Sequence, residues 1–371
     1  MHRGRLQIDG PGGLSVSHAA PLPGPDATFE VPDWQVAKRV LQLGEVRLAS
    51  AYLDSELQAP DVCQLLTLFA LNPGFAPTPM RRIALLLQHL VGQAKCPRAH
   101  NVHSQYDLDH RFYASWLDAS LTYSSAWFAG DLSQPLEQAQ DAKHERVLQW
   151  LDPAPGSVLL DVGCGWGGFA RYAARTRGCR VRAVTLSRRQ QEYADARSKA
   201  SGLDRLTRFD ACDYREINGR FDHVVSLEMY ETLGEHGWPT YLRTLAQRVP
   251  SRGRALLQCI VVAQPACASY RAHNNFIRRY IARNASLATE AELVRHATRA
   301  GWKIHSVERF GGDYAHTLRC WRLRFLAQWP QIEGSGRDAR FRRLWELYLA
   351  YCEAGFRAGV TDVVQMAMLK T

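Results

Sequence analysis

The spacing of apolar positions changes once along this chain, and the change divides it. From Trp34 to about Leu71 apolar residues recur at helical spacing (Val36, Val40, Leu41, Leu43, Val46, Leu48, Leu53), and an Asn-Pro-Gly breaker follows at 72–74. A second helical stretch covers Ile83 to Val91, and Gly92-Gln-Ala-Lys-Cys-Pro-Arg98 reads as a linker. Beyond it, strand-like runs at Val158–Val162, Arg180–Thr185, Phe221–Ser226 and Arg254–Val262 alternate with helical stretches at 166–176, 187–201 and 238–249. Strand–helix alternation with short turns predicts an α/β fold with a parallel, doubly wound sheet. Residues 1–30 are rich in Gly, Pro and Ala and are expected to form a loose N-terminal segment. The expected organisation is therefore 1–30 loose, 31–95 a small helical domain, and 100–371 an α/β domain.

Composition narrows the partners. The 371 residues are ordinarily globular, with a net charge of +10 carried mostly by dispersed arginines such as Arg81-Arg82, Arg188-Arg189, Arg278-Arg279 and Arg342-Arg343. Anionic phospholipid and nucleic acid both attract such a surface. No nucleic-acid module is present, so nucleic acid is set aside. A membrane-docking role and plain solvated helix faces stay open. The nine cysteines show no C-x-x-C and no metal-ligand spacing, so no metal is expected and the thiols fit a reducing cytosol. No run approaches about 20 apolar residues, and the N-terminus lacks a secretory segment. The expectation is a cytoplasmic protein.

Candidate chemistry centres on Val158-Leu-Leu-Asp-Val-Gly-Cys-Gly-Trp-Gly-Gly-Phe-Ala170. An apolar strand runs into an acid, then glycines, then a helical pattern, which suits close approach of backbone to a ligand. Glycines at 163, 165 and 168 also satisfy the dinucleotide fingerprint, so NAD is the rival ligand. Asp161, two residues before the first glycine, and the mid-chain position argue against it. The spelling D-x-G-C-G-W-G-G resembles the first motif of class I S-adenosylmethionine (SAM) methyltransferases. That resemblance implies a Rossmann-like fold, with cofactor positions at Asp161, Gly163, Gly165, Thr185, Gln190 and Asp213, and Tyr123 and Ser124 closing over them. The plainer alternatives are a turn acid at Asp213 and a helix cap at Ser187.

Further blocks extend the likeness. Gln105-Tyr-Asp-Leu-Asp-His-Arg-Phe-Tyr113, Trp116 to Phe128, Val184-Thr-Leu-Ser187, Leu227-Glu-Met-Tyr-Glu-Thr-Leu-Gly234, Gly311-Gly-Asp-Tyr-Ala-His-Thr-Leu318 and Tyr351-Cys-Glu-Ala-Gly-Phe-Arg-Ala358 occur in order. Together they resemble the cyclopropane-fatty-acyl-phospholipid synthases, whose N-terminal helical domain is similar to 28–71. The resemblance implies an enzyme that docks on the inner face of the membrane and adds a one-carbon unit from SAM to the cis double bond of a phospholipid acyl chain. A homodimer is a further candidate arrangement. Attack by the alkene leaves a carbocation, which aromatic faces tolerate. A base then takes a proton from the methyl, closing a cyclopropane, or from a neighbouring carbon, leaving a methylated alkene.

In the family that base is a bound bicarbonate, and the matching positions here are Ser125, Glu231, Gln258, Ile260 and Tyr314. Ser125 and Gln258 stand where Cys and His are usual, and Glu228 stands where the best-known cyclopropane synthases have glycine. Both retain donors for an anion. The resemblance implies a cyclopropane fatty acyl chain as product; a C-methylated acyl chain and a small-molecule C-methyltransferase are the alternatives. A non-catalytic lipid-binding descendant is disfavoured because the glycine loop and Glu231 are intact. Trp345, Tyr348, Leu349 and Cys352 recur at helical spacing and are expected to form a core face. His103, His110 and the Glu235-His236 pair are expected to be structural or surface residues.

Overall fold

The computed structural model describes residues 1–73, 108–272, 276–282 and 285–371. The helical stretch 83–91, the linker 92–98 and His103 lie outside the described residues. The chain divides into two compact units. One draws on the described residues of Met1–His103, Arg271–Arg283 and Phe325–Val360; the other on those of Ser104–Tyr270, Asn284–Arg324 and Thr361–Thr371.

The larger unit is built on a seven-stranded sheet. Its strands are β4 (Val158–Val162), β5 (Arg180–Thr185), β6 (Thr207–Ala211), β7 (His223–Leu227), β8 (Arg254–Val262), β9 (Trp302–Arg309) and β10 (Thr361–Lys370), in the order β6-β5-β4-β7-β8-β10-β9. Strands β4 to β8 pair in parallel, and β10 runs antiparallel to both β8 and β9. The sheet is therefore mixed rather than wholly parallel. Of its last two strands, β9 follows the helix Glu290–Arg299 and β10 follows the helix Ala339–Arg357, both beyond the strand–helix alternation that the sequence displays. In β4 the side chains alternate: Leu159 joins a core with the helices Leu136–Leu151 and Gly168–Arg177, while Leu160 and Val162 join one with Trp238–Gln247 and Glu290–Arg299. Layers on both faces define a doubly wound α/β fold, and its ligand crevice lies at the carboxyl ends of the strands, where the order reverses around β4.

The smaller unit corrects the expectation for residues 1–30. They form a three-stranded sheet of β1 (Arg3–Asp9), β2 (Ser15–Ala19) and β3 (Leu22–Glu30), in the order β2-β1-β3. Leu6 and Ile8 alternate inward on β1, as do Ala27 and Phe29 on β3, so a half-buried sheet hides within a Gly/Pro-rich composition. Its core is completed by the helices Trp34–Leu43, Glu45–Leu53 and Val62–Leu71 and by Phe276, Ile281, Leu347, Ala350 and Ala354. The unit is thus discontinuous in sequence, not the single stretch 31–95. Asn72, expected as part of a breaker, is buried. Its amide accepts from the backbone N–H groups of His2 and Arg3 and donates to the carbonyls of Arg3 and Leu68, tying the start of β1 to a helix end. In the same unit Trp345 and Leu349 are buried, in agreement with a core face on the helix Ala339–Arg357.

Candidate active site

The glycine loop leaves β4 at the switch point. Gly163 has φ +83°, and a Cβ there would lie 2.9 Å from the Cβ and Cγ of Met229. Gly165 has φ +54° and open space where a Cβ would project. The first glycine is fixed by crowding, the second by left-handed backbone beside room for a ligand. The N–H groups of Gly163 and Cys164 both donate to the Val184 carbonyl at 3.0 Å, locking the loop to β5. Asp161 is buried, and its Oδ2 has no hydrogen-bond partner. Burial pushes its carboxyl up to about 7, against the pull of Lys143. A buried, unpartnered acid oxygen below an open glycine loop suits the cationic amino end of SAM.

At the end of β5, the Thr185 hydroxyl donates to Gln190 Oε1 at 2.6 Å, and the Ser187 hydroxyl caps the next helix by accepting from Gln190 N at 3.3 Å. Asp213 follows β6, but its carboxylate accepts from Arg215 Nε and Nη2 at 2.8 and 2.7 Å and caps the turn behind it. The turn-acid alternative therefore describes its side chain here. Tyr123 packs within an aromatic cluster of Tyr113, Trp116 and Trp321, at centroid distances of 5.3–5.6 Å. The Ser124 hydroxyl accepts from Lys143 Nζ at 2.7 Å.

Of the five positions matched to an anion site, Ser125, Gln258 and Tyr314 meet on a carboxylate of the chain itself, and Glu231 and Ile260 bond each other. Glu228, just after β7, supplies that carboxylate. Oε1 accepts from Ser125 N at 2.8 Å and from Gln258 Nε2 at 2.7 Å, and Oε2 accepts from the Tyr314 hydroxyl. The Gln258 amide is oriented from behind: its Oε1 accepts from Gln365 Nε2 at 3.0 Å, and Gln365 Oε1 accepts from Arg146 Nε at 2.7 Å. The Ser125 hydroxyl, expected to face the anion, donates instead to the Ala126 carbonyl at 3.0 Å. Ser125 serves the site through its backbone. Glu231 accepts through Oε1 from Ile260 N, while its Oε2 is buried without a partner.

Two buried carboxylates therefore share one site. Burial, and then the neighbouring Glu228 charge, push Glu231 up to about 8. Burial also raises Glu228, but Tyr314, Ser125 and Gln258 oppose it as donors and Lys143 as a charge. Three donors to Glu228 against one to Glu231 favour the ionised form at Glu228 and the protonated form at Glu231.

A protein-family model described as mycolic acid cyclopropane synthetase matches residues 93–366. The chain belongs to this family. It is 33% identical to the tuberculostearic acid methyltransferase of Mycobacterium tuberculosis, over 96% of this chain and 86% of that protein. It is 30% identical to the cyclopropane-fatty-acyl-phospholipid synthase of Escherichia coli, over 93% of this chain and 87% of that protein. Among solved structures, a mycolic acid cyclopropane synthase complexed with SAH and CTAB superposes with a TM-score of 0.68 at 27% identity, covering 74% of this chain and 99% of that one. The fold is thus the class I Rossmann-like methyltransferase fold, and the chain is a SAM-dependent transferase of this family.

Sequence reasoning missed two residues that shape the site, Gln140 and Lys143. Both lie on the buried face of the helix Leu136–Leu151, among Leu136, Ala139, Val147 and Leu151. Gln140 Nε2 donates to the Ser124 carbonyl at 3.0 Å, next to the Lys143 bond to the same residue. Polar side chains at apolar positions of a helical repeat were the available signal. Among the described residues, no cluster of side chains could hold a metal ion.

Proposed function

We propose that this protein transfers a one-carbon unit from SAM to the cis double bond of an unsaturated phospholipid acyl chain, with the Glu228 carboxylate as proton acceptor and a C-methylated alkene as product. SAM, when bound, supplies an electrophilic methyl group on sulfur. The chain's own residues do the rest. Asp161 and the glycine loop hold the amino-acid end of the cofactor, and the Tyr123 cluster provides aromatic faces for cationic charge. The alkene π pair forms the new bond to the methyl, leaving a carbocation on the adjacent carbon. Glu228 takes a proton from a carbon beside the cation, and that C–H pair becomes the new double bond. The proton ends on a Glu228 oxygen, and neutral SAH is the second product.

The carrying observation is the seat of Glu228 on Ser125 N, Gln258 Nε2 and the Tyr314 hydroxyl. These groups match the positions that hold bicarbonate in the resembling synthases. An acceptor tethered at position 228 has its reach set by one side chain, whereas a small anion settles wherever its donors converge. That difference favours proton removal from a new site over ring closure. The 33% likeness to a tuberculostearic acid methyltransferase points the same way. Cyclopropane formation is the second reading, favoured by the likeness to the Escherichia coli synthase.

The test is lipid mass spectrometry of a host that expresses the protein and is fed methyl-deuterated methionine, before and after mild catalytic hydrogenation. A labelled acyl chain that takes up hydrogen is the expected alkene. A labelled chain that resists hydrogenation and retains only two deuterium atoms in the new carbon is a cyclopropane and overturns the product assignment. The substrate's location implies work at a phospholipid surface, which the net charge of +10 would favour if that surface is anionic.

A further inference from the structure

A fully buried lysine, Lys143, bonds Ser124 and acts by its charge on both Asp161 and Glu228. Lys143 is 0% exposed, and its ammonium donates to Ser124 Oγ at 2.7 Å, while an ammonium has three donors to give. An unpaired charge at that depth is costly, so its surroundings must compensate. Three acids do so from three separate elements: Asp161 on β4, Glu228 after β7, and Asp118 in the loop leading to Ser124. Asp118 is itself committed to that loop, accepting from Ser120 N at 2.8 Å and Thr122 N at 3.1 Å.

We propose that Lys143 is a positioning residue for the transfer reaction: its ammonium anchors the 122–125 segment and, as the buried countercharge to Glu228, Asp161 and Asp118, keeps Glu228 ionised and able to accept a proton. The inference rests on the reading of Glu228 as acceptor. It adds the source of that carboxylate's charge state. Burial brings Lys143 down to about 8, opposed by those three acids, so at neutral pH the ammonium form prevails.

The other groups around this set do not supply the countercharge. Glu231 holds a proton, and burial keeps His144, beside Lys143 on the same helix, neutral by pushing it well below its ordinary value. The Cys164 and Cys259 thiols are pushed well above theirs and stay neutral. Tyr314 is a donor to Glu228, and the Arg171 charge acts on Cys164 and His144. The Lys143 charge acts on both Glu228 and Asp161.

The experiment compares K143M, K143Q and K143R with the parent. K143Q keeps a donor for Ser124 without the charge, which separates the anchor from the countercharge. The kcat/KM pH profile reports essential groups of the free enzyme. In K143M and K143Q its acidic limb should move to higher pH by about one unit or more, a loss of roughly tenfold below the limb. K143R should restore the parent profile. A readout independent of turnover is the infrared carboxyl band of Glu228, assigned by difference against E228Q. It should be ionised at pH 7 in the parent and protonated in K143Q. A parent band already protonated at pH 7, or an unmoved limb in a folded K143Q, overturns the proposal. An active E228Q would instead remove the reading beneath it, so the two failures are distinguishable.

Discussion

At the scale of single residues, Glu228 is the decisive one, and its backbone agrees with its role. It adopts φ +59°, a left-handed conformation that costs a non-glycine residue about 1–3 kcal/mol and persists where the surroundings impose it. A glycine would sit there without strain, which accounts physically for the glycine usual in the resembling synthases. The sequence exposed Glu228 as a departure but could not reveal its partners, because its donors lie 103, 30 and 86 positions away along the chain. Side-chain direction was also illegible: nothing in the sequence says that the Ser125 hydroxyl turns to the Ala126 carbonyl. Ser125→Ala should therefore change turnover by less than about tenfold, since it removes one neutral hydrogen bond worth a net 0.5–1.5 kcal/mol and leaves the N–H in place. Steady-state turnover on unsaturated phospholipid vesicles checks this, and a larger loss would return the hydroxyl to the anion site.

At the scale of elements, the β4–loop–helix unit was readable because its glycines are demanded by geometry that no other residue meets. Gly163→Leu should abolish SAM binding, as its side chain would be driven into Met229 from a backbone at φ +83°. Calorimetry with SAM measures this, and retained affinity would separate the loop from the cofactor. The strands of residues 3–30 were not read, because short alternating pairs such as Leu6 and Ile8 are swamped by neighbouring Gly, Pro and Ala. The antiparallel β9 and β10 escaped for another reason. They follow helices in sequence yet pair across the sheet, and periodicity carries no information on that order. Gln140 and Lys143 were passed over because a helix read for its apolar stripe hides polar residues placed within it.

At the scale of the whole molecule, the buried acids predict an unusual response to pH. Glu231 and Asp161 have folded values of about 8 and 7, raised from ordinary values of 4.5 and 3.8. Between those limits the unfolded chain has released protons that the folded chain retains, so stability falls as pH rises through that window. Lys143 acts in the opposite sense higher up, its folded value of about 8 lying below 10.5, so stability recovers with pH in that interval. Thermal unfolding of the ligand-free protein should show a midpoint that declines from about pH 5 to pH 8, and Glu231→Gln should flatten the decline. A parent midpoint constant across this range would contradict these charge states. Among the described residues no helix is long and apolar enough to cross a membrane. If the net charge of +10 serves docking, activity on vesicles should rise with anionic lipid and fall with added salt. Activity indifferent to both would leave the charge without that role.

The proton acceptor is tested most directly by turnover of the parent and of Glu228→Gln on unsaturated phospholipid vesicles, with methyl-labelled SAM and with bicarbonate first removed and then restored. The variant keeps the volume of the side chain and removes the carboxylate. The parent should turn over equally with and without bicarbonate, and the variant should fall by roughly 10²–10⁴-fold, the range of a general base. A parent that stops when bicarbonate is removed, or a variant that works at the parent rate, would contradict Glu228 as the acceptor.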